Sequence, residues 1–380
     1  MTLRYIRTIT LLIALAAVMP AQTSPEQKVA FGGIITVNGL IEAEALGLTL
    51  IHEHLLADFN LPDDRPDLWR AAGLTFPSTA EAINFYHRPI SMSMLGSLVT
   101  GRPNRDNWYL TDERVAVREA IEFKARGGQA IVDATSMGLK RDPLGLRRLA
   151  NVTGLHIVMG SGWYQKLRYS PSLLRRSIES LSDEIVREIT LGCDNTDVRA
   201  GIIGEISVTD PASDEEEGKV LRAAARASAR TGAAILIDCP ASSAIEALNI
   251  LKGNGADPAR IIMANANSVL LAPALLEELL SRGVFLQFTV GKYQTVRTRV
   301  SDTDVAKAVV ALIRQNRARQ ILLSHNLSQR IQLKSLGGTG YAYLPELFLP
   351  YLKKQGVTED QINVLMRQNP QRALTLAFTR

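Results

Sequence analysis

Cysteine is scarce in this chain: Cys193 and Cys239 are the only two in 380 residues. That excludes a disulfide framework, and even one bridge needs Cα atoms within about 7 Å. The fold read below sets the two at opposite ends of a barrel, so both are expected free, and neither has a neighbouring His or basic cluster that would make it a nucleophile. Charge of one sign is also lacking, since 43 Lys and Arg face 38 Asp and Glu, too even a balance for a nucleic-acid-binding surface. Membrane-spanning length is missing as well: the apolar run at residues 9–18 is about half of the roughly 20 residues a spanning helix needs. Nor is there a glycine-rich phosphate turn after an early strand. Gly160-Ser161-Gly162 is too little for one and Gly32-Gly33 follows no convincing strand, which argues against a doubly wound open sheet.

What the chain does have is 46% apolar and 21% charged residues, enough for a large core. Arg4 and Arg7 precede the apolar run, and Ala14, Ala16, Ala17 and Ala21 supply small residues around its end, the layout of a secretory signal peptide. Residues 1–21 are therefore expected to be a signal peptide cut near Ala16 or Ala21, residues 22–32 a leader and residues 33–380 one barrel domain. The protein is expected to be secreted or periplasmic. Without its two leading arginines the formal charge falls from +5 to +3. The acidic run at 214–217 reads as the solvated start of a helix, where carboxylates suit the dipole.

Eight β-rich runs recur, beginning near Leu48, Gln129, His156, Ala200, Ala233, Arg260, Val284 and Gln320. Their continuous apolar character is that of a parallel sheet covered by helices. Helical spacing follows at 112–126, 170–190, 214–231, 242–254, 272–282, 303–316 and 361–368. Strands alternating with helices, eight times over, predict an α/β fold of (βα)8 TIM-barrel type. The stretch from 55 to 110, rich in Pro and aromatics, reads as a long first βα connection at the catalytic face.

Active sites of such barrels collect residues from the C-terminal ends of strands. Here these are His52 and His54, Asp133, Ser161, Glu205, Asp238, Asn265, Gln287 with Thr289, and Asn326. His52 and His54 are two apart, so both imidazoles point the same way, an arrangement that suits a metal or a pair of hydrogen-bonded core histidines. Glu205 ends the apolar run Gly201-Ile202-Ile203-Gly204, and burying its charge is costly without a cation or donors; a metal or a buried arginine would relieve the cost. Asp238, Asn265 and Asn326 close strands in the same manner. Each is weak evidence singly, since Asx residues often cap strand ends.

These residues resemble the phosphotriesterase-related family of the amidohydrolase superfamily, from about Gly33 to the C-terminus. The resemblance is carried by Thr49-Leu50-Ile51-His52-Glu53-His54, Gly127-Gly128-Gln129 through Asp133, Gly160-Ser161-Gly162-Trp163-Tyr164, Gly201 through Glu205, Ile321-Leu322-Leu323-Ser324-His325, Gly337-Gly338-Thr339-Gly340-Tyr341 and Asn369-Pro370-Gln371-Arg372. It implies a binuclear divalent-metal centre, often zinc, whose bridging hydroxide attacks a phosphoester, lactone or related ester. One metal would rest on the HxH pair and a strand-eight aspartate, the other on histidines of strands five and six, with a strand-four lysine or glutamate between them. His52, His54 and Glu205 match that pattern. Asp238, Asn265 and Asn326 stand where the other ligands belong and depart from it. An amide binds a divalent cation more weakly than a carboxylate, and Asn326 cannot take a proton, so Asp238, Asp133 or Glu205 must serve as base. The more oxygen-rich set shifts preference towards manganese, magnesium or calcium. The expectation is one weak or mononuclear site on His52, His54 and Glu205, with Asp238 as fourth ligand.

Two functions follow: a metal-dependent hydrolase of esters, lactones or phosphoesters, or a catalytically silent binder of small molecules on the same barrel. Trp163 and Tyr164 are candidates to line the ligand or to pack. Arg141 is a candidate to orient an anionic substrate or to pair with Asp142 at a helix start. The connection around Trp69 and Phe76 and the loop 327–343 would set the substrate. Family members often form homodimers, though no sequence feature shows one here.

Overall fold

The computed structural model describes residues 32–295 and 298–377, so the expected signal segment lies outside the described residues. The first element is an antiparallel hairpin, β1 (Gly33–Thr36) and β2 (Gly39–Glu42). Its two-residue turn is Val37-Asn38, and Gly39, which opens β2 opposite Thr36, has φ +115°. β1 is wholly buried. It closes the floor of the barrel: the Val37 amide donates to the Ile157 carbonyl at 2.8 Å.

Next come β3 (Thr49–Glu53) and a short antiparallel pair, β4 (Ala57–Asp58) with β5 (Tyr109–Leu110), at the two ends of the long first connection. The remaining barrel strands are β6 (Ala130–Asp133), β7 (His156–Ser161), β8 (Ile202–Ser207), β9 (Ile235–Asp238), β10 (Ile261–Ala264), β11 (Phe285–Thr289) and β12 (Ile321–Ser324). With β3 they form one parallel sheet in chain order. Each begins within two residues of the position read from sequence. Their side chains divide by parity. Ile51, Val132, Val158, Leu236, Ile262 and Leu322 fill the interior, whereas Leu50, Ile131, Ile157, Ile235, Ile261 and Ile321 face the helices.

The pairing breaks step in two places, between Leu50 and Glu53 and between Ile203 and Ile206. Strict alternation from the inward Ile51 would turn His52 outwards; the shift turns it back in, as bulges beside active sites do. The second irregularity brackets Glu205. It depends on Gly204, at φ +125°, where a Cβ would stand 2.3 Å from the Leu236 carbonyl oxygen.

The seam between β3 and β12 is closed largely by one side chain. Glu53 is buried; its Oε1 accepts from Ser324 Oγ and the His325 amide, both at 2.7 Å, and its Oε2 from the Leu327 amide at 2.9 Å. Beside it the Asn326 amide donates to the His52 carbonyl at 2.9 Å.

Most expected helices are found, but Pro66–Ala71, Ala80–His87 and Leu95–Val99 in the first connection and Leu349–Lys354 near the C-terminus were not expected, and three further differences concern the barrel helices. The stretch 170–190 is two helices, Pro171–Leu174 and Ile178–Thr190, because Ser177 caps the second afresh by accepting from the Ser180 amide. Pro143–Thr153 was not read from sequence, although it carries an Asp142 cap, Pro143 in its first turn and Gly154 in left-handed conformation at its end, all ordinary boundary signals. The last expected helix, 361–368, is longer and interrupted: Glu359–Asn363, a π-turn Val364–Gln368 and Asn369–Leu374. The first connection has a small core of its own, with Trp69 fully buried against Phe76, Tyr86 and Trp108. Trp69 and Phe76 thus hold that connection together. Both cysteines are free.

Removing the Glu53 carboxylate would leave a hydroxyl and two amides buried without acceptors, each costing about 1–3 kcal/mol. Glu53→Ala is expected to lower unfolding free energy by about 3 kcal/mol or more in urea titration; an unchanged midpoint would show that the seam does not depend on it.

Candidate metal centre

Glu205 Oε2 lies 3.3 Å from His52 Nε2 and 3.3 Å from His54 Nε2, and all three residues are buried. Neither Nε2 makes a hydrogen bond. For nitrogen and oxygen ligands about 2.0–2.1 Å from a tetrahedral ion, neighbouring ligands stand about 3.4 Å apart. Among the described residues this is the one group of three or more His, Cys, Asp or Glu side chains close enough to share an ion. Its spacing and its two unpartnered nitrogens fit a divalent metal.

The opposite ring edges fix the tautomers. His52 Nδ1 is 3.1 Å from Gln287 Oε1, which also accepts from the Asn265 amide at 3.0 Å. Facing an acceptor, Nδ1 carries the proton, which leaves the Nε2 lone pair for a cation. His54 Nδ1 pairs with Thr135 Oγ1 at 3.0 Å. Asp133 accepts from the Leu55 amide at 2.6 Å and the Thr135 amide at 3.0 Å. It thereby holds the end of β3 as a positioning residue, with both oxygens engaged. Tyr341, from the glycine-rich motif before the C-terminal helices, donates its hydroxyl to the His54 carbonyl at 2.8 Å.

The electrostatics follow from burial and contact. Burial alone would raise the Glu205 carboxyl; the two imidazoles outweigh it and hold Glu205 well below the ordinary carboxylate range. Burial would likewise lower His52, but Glu205 beside it raises it on balance.

Asp238, Asn265 and Asn326 form a separate hydrogen-bonded chain beside this cluster. Asn326 Nδ2 donates to Asn265 Oδ1 at 3.1 Å, Thr289 Oγ1 donates to the same oxygen at 2.6 Å, and Asn265 Nδ2 donates to Asp238 Oδ2 at 3.0 Å. This corrects the reading of Asn265 as a ligand, because both ends of its amide are already engaged. It also corrects the placing of Asp238 as fourth ligand: its carboxylate stands outside the histidine–glutamate group. Asn326 keeps a buried Oδ1 without a partner. Burial first, and the charge of Glu205 second, push the Asp238 carboxyl up to about 6.

Three further expectations change. Arg141 is no substrate-binding residue: its guanidinium is bound by Glu188 at 2.7 and 3.0 Å, by Asp194 at 2.9 and 3.0 Å and by the Gly160 carbonyl at 3.0 Å. Nor does it pair with Asp142, which caps Pro143–Thr153 instead. Trp163 packs in the main core with Arg176 over its ring, the packing alternative of its sequence reading. Ser161 is turned to Glu188, at 2.6 Å, and is not at the mouth. Tyr164 does belong there. Its ring stacks edge-on against Phe59, which stacks in turn against His54, and burial together with Glu205 and Asp238 holds its phenol well above its ordinary pKa, hence neutral.

One mouth residue escaped the sequence reading. Lys292 follows β11 two residues beyond Val290, and its ammonium donates to the Asn326 carbonyl. Burial pulls it down to about 8, with Glu53, Glu205 and Asp238 partly opposing. The signal was its place just past the inward pair Gln287 and Thr289.

A parallel eight-stranded barrel with two histidines from its first strand and a carboxylate from its fourth converging at the mouth is built as a metal-dependent hydrolase. The phosphotriesterase family model matches residues 32–374, and the chain belongs to that family. It is 31% identical over 355 residues to a human protein named N-acetyltaurine hydrolase, covering 90% of this chain and 98% of that one, and 30% identical over 365 residues to its Dictyostelium discoideum namesake, covering 91% and 98%. Among solved structures it is similar to a resiniferatoxin-binding protein from Rhodobacter sphaeroides, with TM-score 0.81, 34% identity and coverage of 92% and 97%. A lactonase from Listeria monocytogenes, at TM-score 0.73 and 21% identity over 92% of this chain and 100% of that one, shares the fold.

Gln287→Leu would remove the acceptor that orients His52. Metal affinity is expected to fall about 10- to 100-fold in competitive chelator titration; an unchanged affinity would show that Gln287 does not set the ring.

Proposed function

We propose that the protein is a metal-dependent hydrolase of small amides or esters working with a single ion on His52, His54 and Glu205. The observation that carries this is the pair of unpartnered Nε2 atoms converging on one carboxylate oxygen. With Asn265 engaged elsewhere the ligand set reduces to two imidazoles and a carboxylate, a combination that suits zinc and leaves a coordination position open. We therefore favour zinc over the harder ions that an amide-rich set would select. An ion held there supplies positive charge that polarises a scissile carbonyl and makes water more acidic. Asp238, ionised above about pH 6 and outside the ligand group, accepts the proton released from water and returns it to the leaving group. Tyr164, kept neutral, is a hydrogen-bond donor at the mouth. The relatives are named for an acylated amino sulfonate, so N-acyl amides come first among candidate substrates and lactones second.

The test is a panel of N-acyl amides, lactones and activated esters assayed with added Zn2+ or Mn2+, beside a double His52→Ala, His54→Ala variant. Metal-stimulated turnover that the double variant loses is the expected result. Turnover in neither protein, with thermal stabilisation by small ligands alone, would mean a binding protein instead.

The proton-transfer role has its own sign. Protonated Asp238 cannot accept a proton, so the rate is expected to fall as pH drops through about 6. Asp238→Asn should remove that limb and lower kcat about 10²- to 10⁴-fold; a pH–rate profile that keeps the limb in the variant assigns the proton elsewhere.

Export is proposed on residues 1–21, with two arginines before a short apolar run. N-terminal sequencing of the protein from its native host should begin near residue 17 or 22; a retained Met1 would contradict it.

A further inference from the structure

The basic groups around the barrel mouth are nearly all occupied. Lys140 pairs with Asp58 at 2.6 Å, Arg105 with Asp63 at 3.1 Å, and Arg141 with Glu188 and Asp194. Arg168 likewise has no carboxylate within ion-pair distance among the described residues, but three backbone carbonyls, of Phe59, Asn60 and Gly138, bind its guanidinium, leaving only Nε without a partner. Arg330 is tied to Asp106. Lys292 differs. Among the described residues its ammonium has no carboxylate within ion-pair distance, and its one hydrogen bond goes to a backbone carbonyl. An ammonium has three protons to donate, so its bonding is incomplete.

The acids nearest to it have partners of their own. Glu53 is engaged by Ser324, His325 and Leu327, Glu205 by the two imidazoles, and Asp238 by Asn265. Lys292 is also anchored to the metal cluster's surroundings, because the Asn326 whose carbonyl it holds donates its own amide to the His52 carbonyl. A cation fixed beside the site of bond cleavage, with carboxylates near it but none in direct contact, has hydrogen-bonding capacity left for an acid. In a partly dehydrated pocket such a pair discriminates strongly, since a neutral isostere leaves the charge unpaired.

We propose that Lys292 binds an acidic group of the substrate, a carboxylate or sulfonate, so that the substrates are small acyl compounds with an anionic tail. This rests on the hydrolase reading above and deepens it.

The experiment measures kcat/KM for N-acetyl-β-alanine and for its neutral amide, with wild type, Lys292→Gln and Lys292→Arg. Binding of ethanesulfonate and of ethanesulfonamide, neither of which has a bond to cleave, is measured by calorimetry on the same proteins. Wild type is expected to prefer the acid on the order of 10- to 100-fold and to bind the sulfonate but not the sulfonamide. Lys292→Gln should bring both ratios to about one, and Lys292→Arg should restore them. Equal binding of sulfonate and sulfonamide by wild type, or an acid preference that survives Lys292→Gln, would overturn the proposal. Should neither acyl compound be cleaved while sulfonate binding still requires Lys292, the anion site stands and the hydrolase reading fails.

Discussion

The mouth of this barrel is organised by one buried carboxylate facing two imidazoles. A carboxylate as enclosed as Glu205 is stable only with positive charge beside it. His52 and His54 turn the same ring atom towards the same oxygen, at 3.3 Å each, without forming a hydrogen bond. Burial would lower His52, but the charge of Glu205 beside it raises it on balance. A divalent cation held there would satisfy His52 Nε2, His54 Nε2 and the Glu205 carboxylate together.

Much of the surrounding structure maintains that convergence. The two breaks in strand pairing fall at the ligand positions, and Gly204 permits the second by allowing a neighbouring backbone closer than a Cβ would. Gln287, Thr135, Asp133 and Tyr341 hold the rings and the backbone behind them. Beside the cluster, Asp238, Asn265, Thr289 and Asn326 form a chain of hydrogen bonds. Asn265 receives two donors and gives one, so its own amide is fully engaged, while Asn326 Oδ1 stays buried without a partner. Beside the histidine–glutamate cluster stand an acid that burial and Glu205 push up to about 6, Asp238, and Lys292, which among the described residues has no carboxylate within ion-pair distance.

The sequence made the barrel legible because parallel buried strands are short apolar runs with clear ends, and their polar terminal residues therefore stood out. His52, His54 and Glu205 could be named because an inward carboxylate on an apolar strand and two histidines at strand spacing have few other uses. Asn265 and Arg141 were misassigned for a common reason: sequence shows a polar side chain but not whether its hydrogen bonds are spent. Glu188 and Asp194, the partners of Arg141, lie about 50 residues away in the chain. Of Trp163 and Tyr164, each read as lining the ligand or packing, Trp163 packs in the core and Tyr164 stacks against Phe59 beside His54. The β1–β2 hairpin was missed because its two strands are only four residues each around a Val37-Asn38 turn, and Lys292 because it sits past the strand end, where a lysine ordinarily reads as solvated.

The count of metal ions per chain, by elemental analysis of protein purified without chelator alongside Glu205→Gln, tests the central claim most directly. One ion per chain in the wild type, lost in the variant, is what a lone centre on His52, His54 and Glu205 requires. Two tightly held ions, or one that persists without the Glu205 carboxylate, would contradict it.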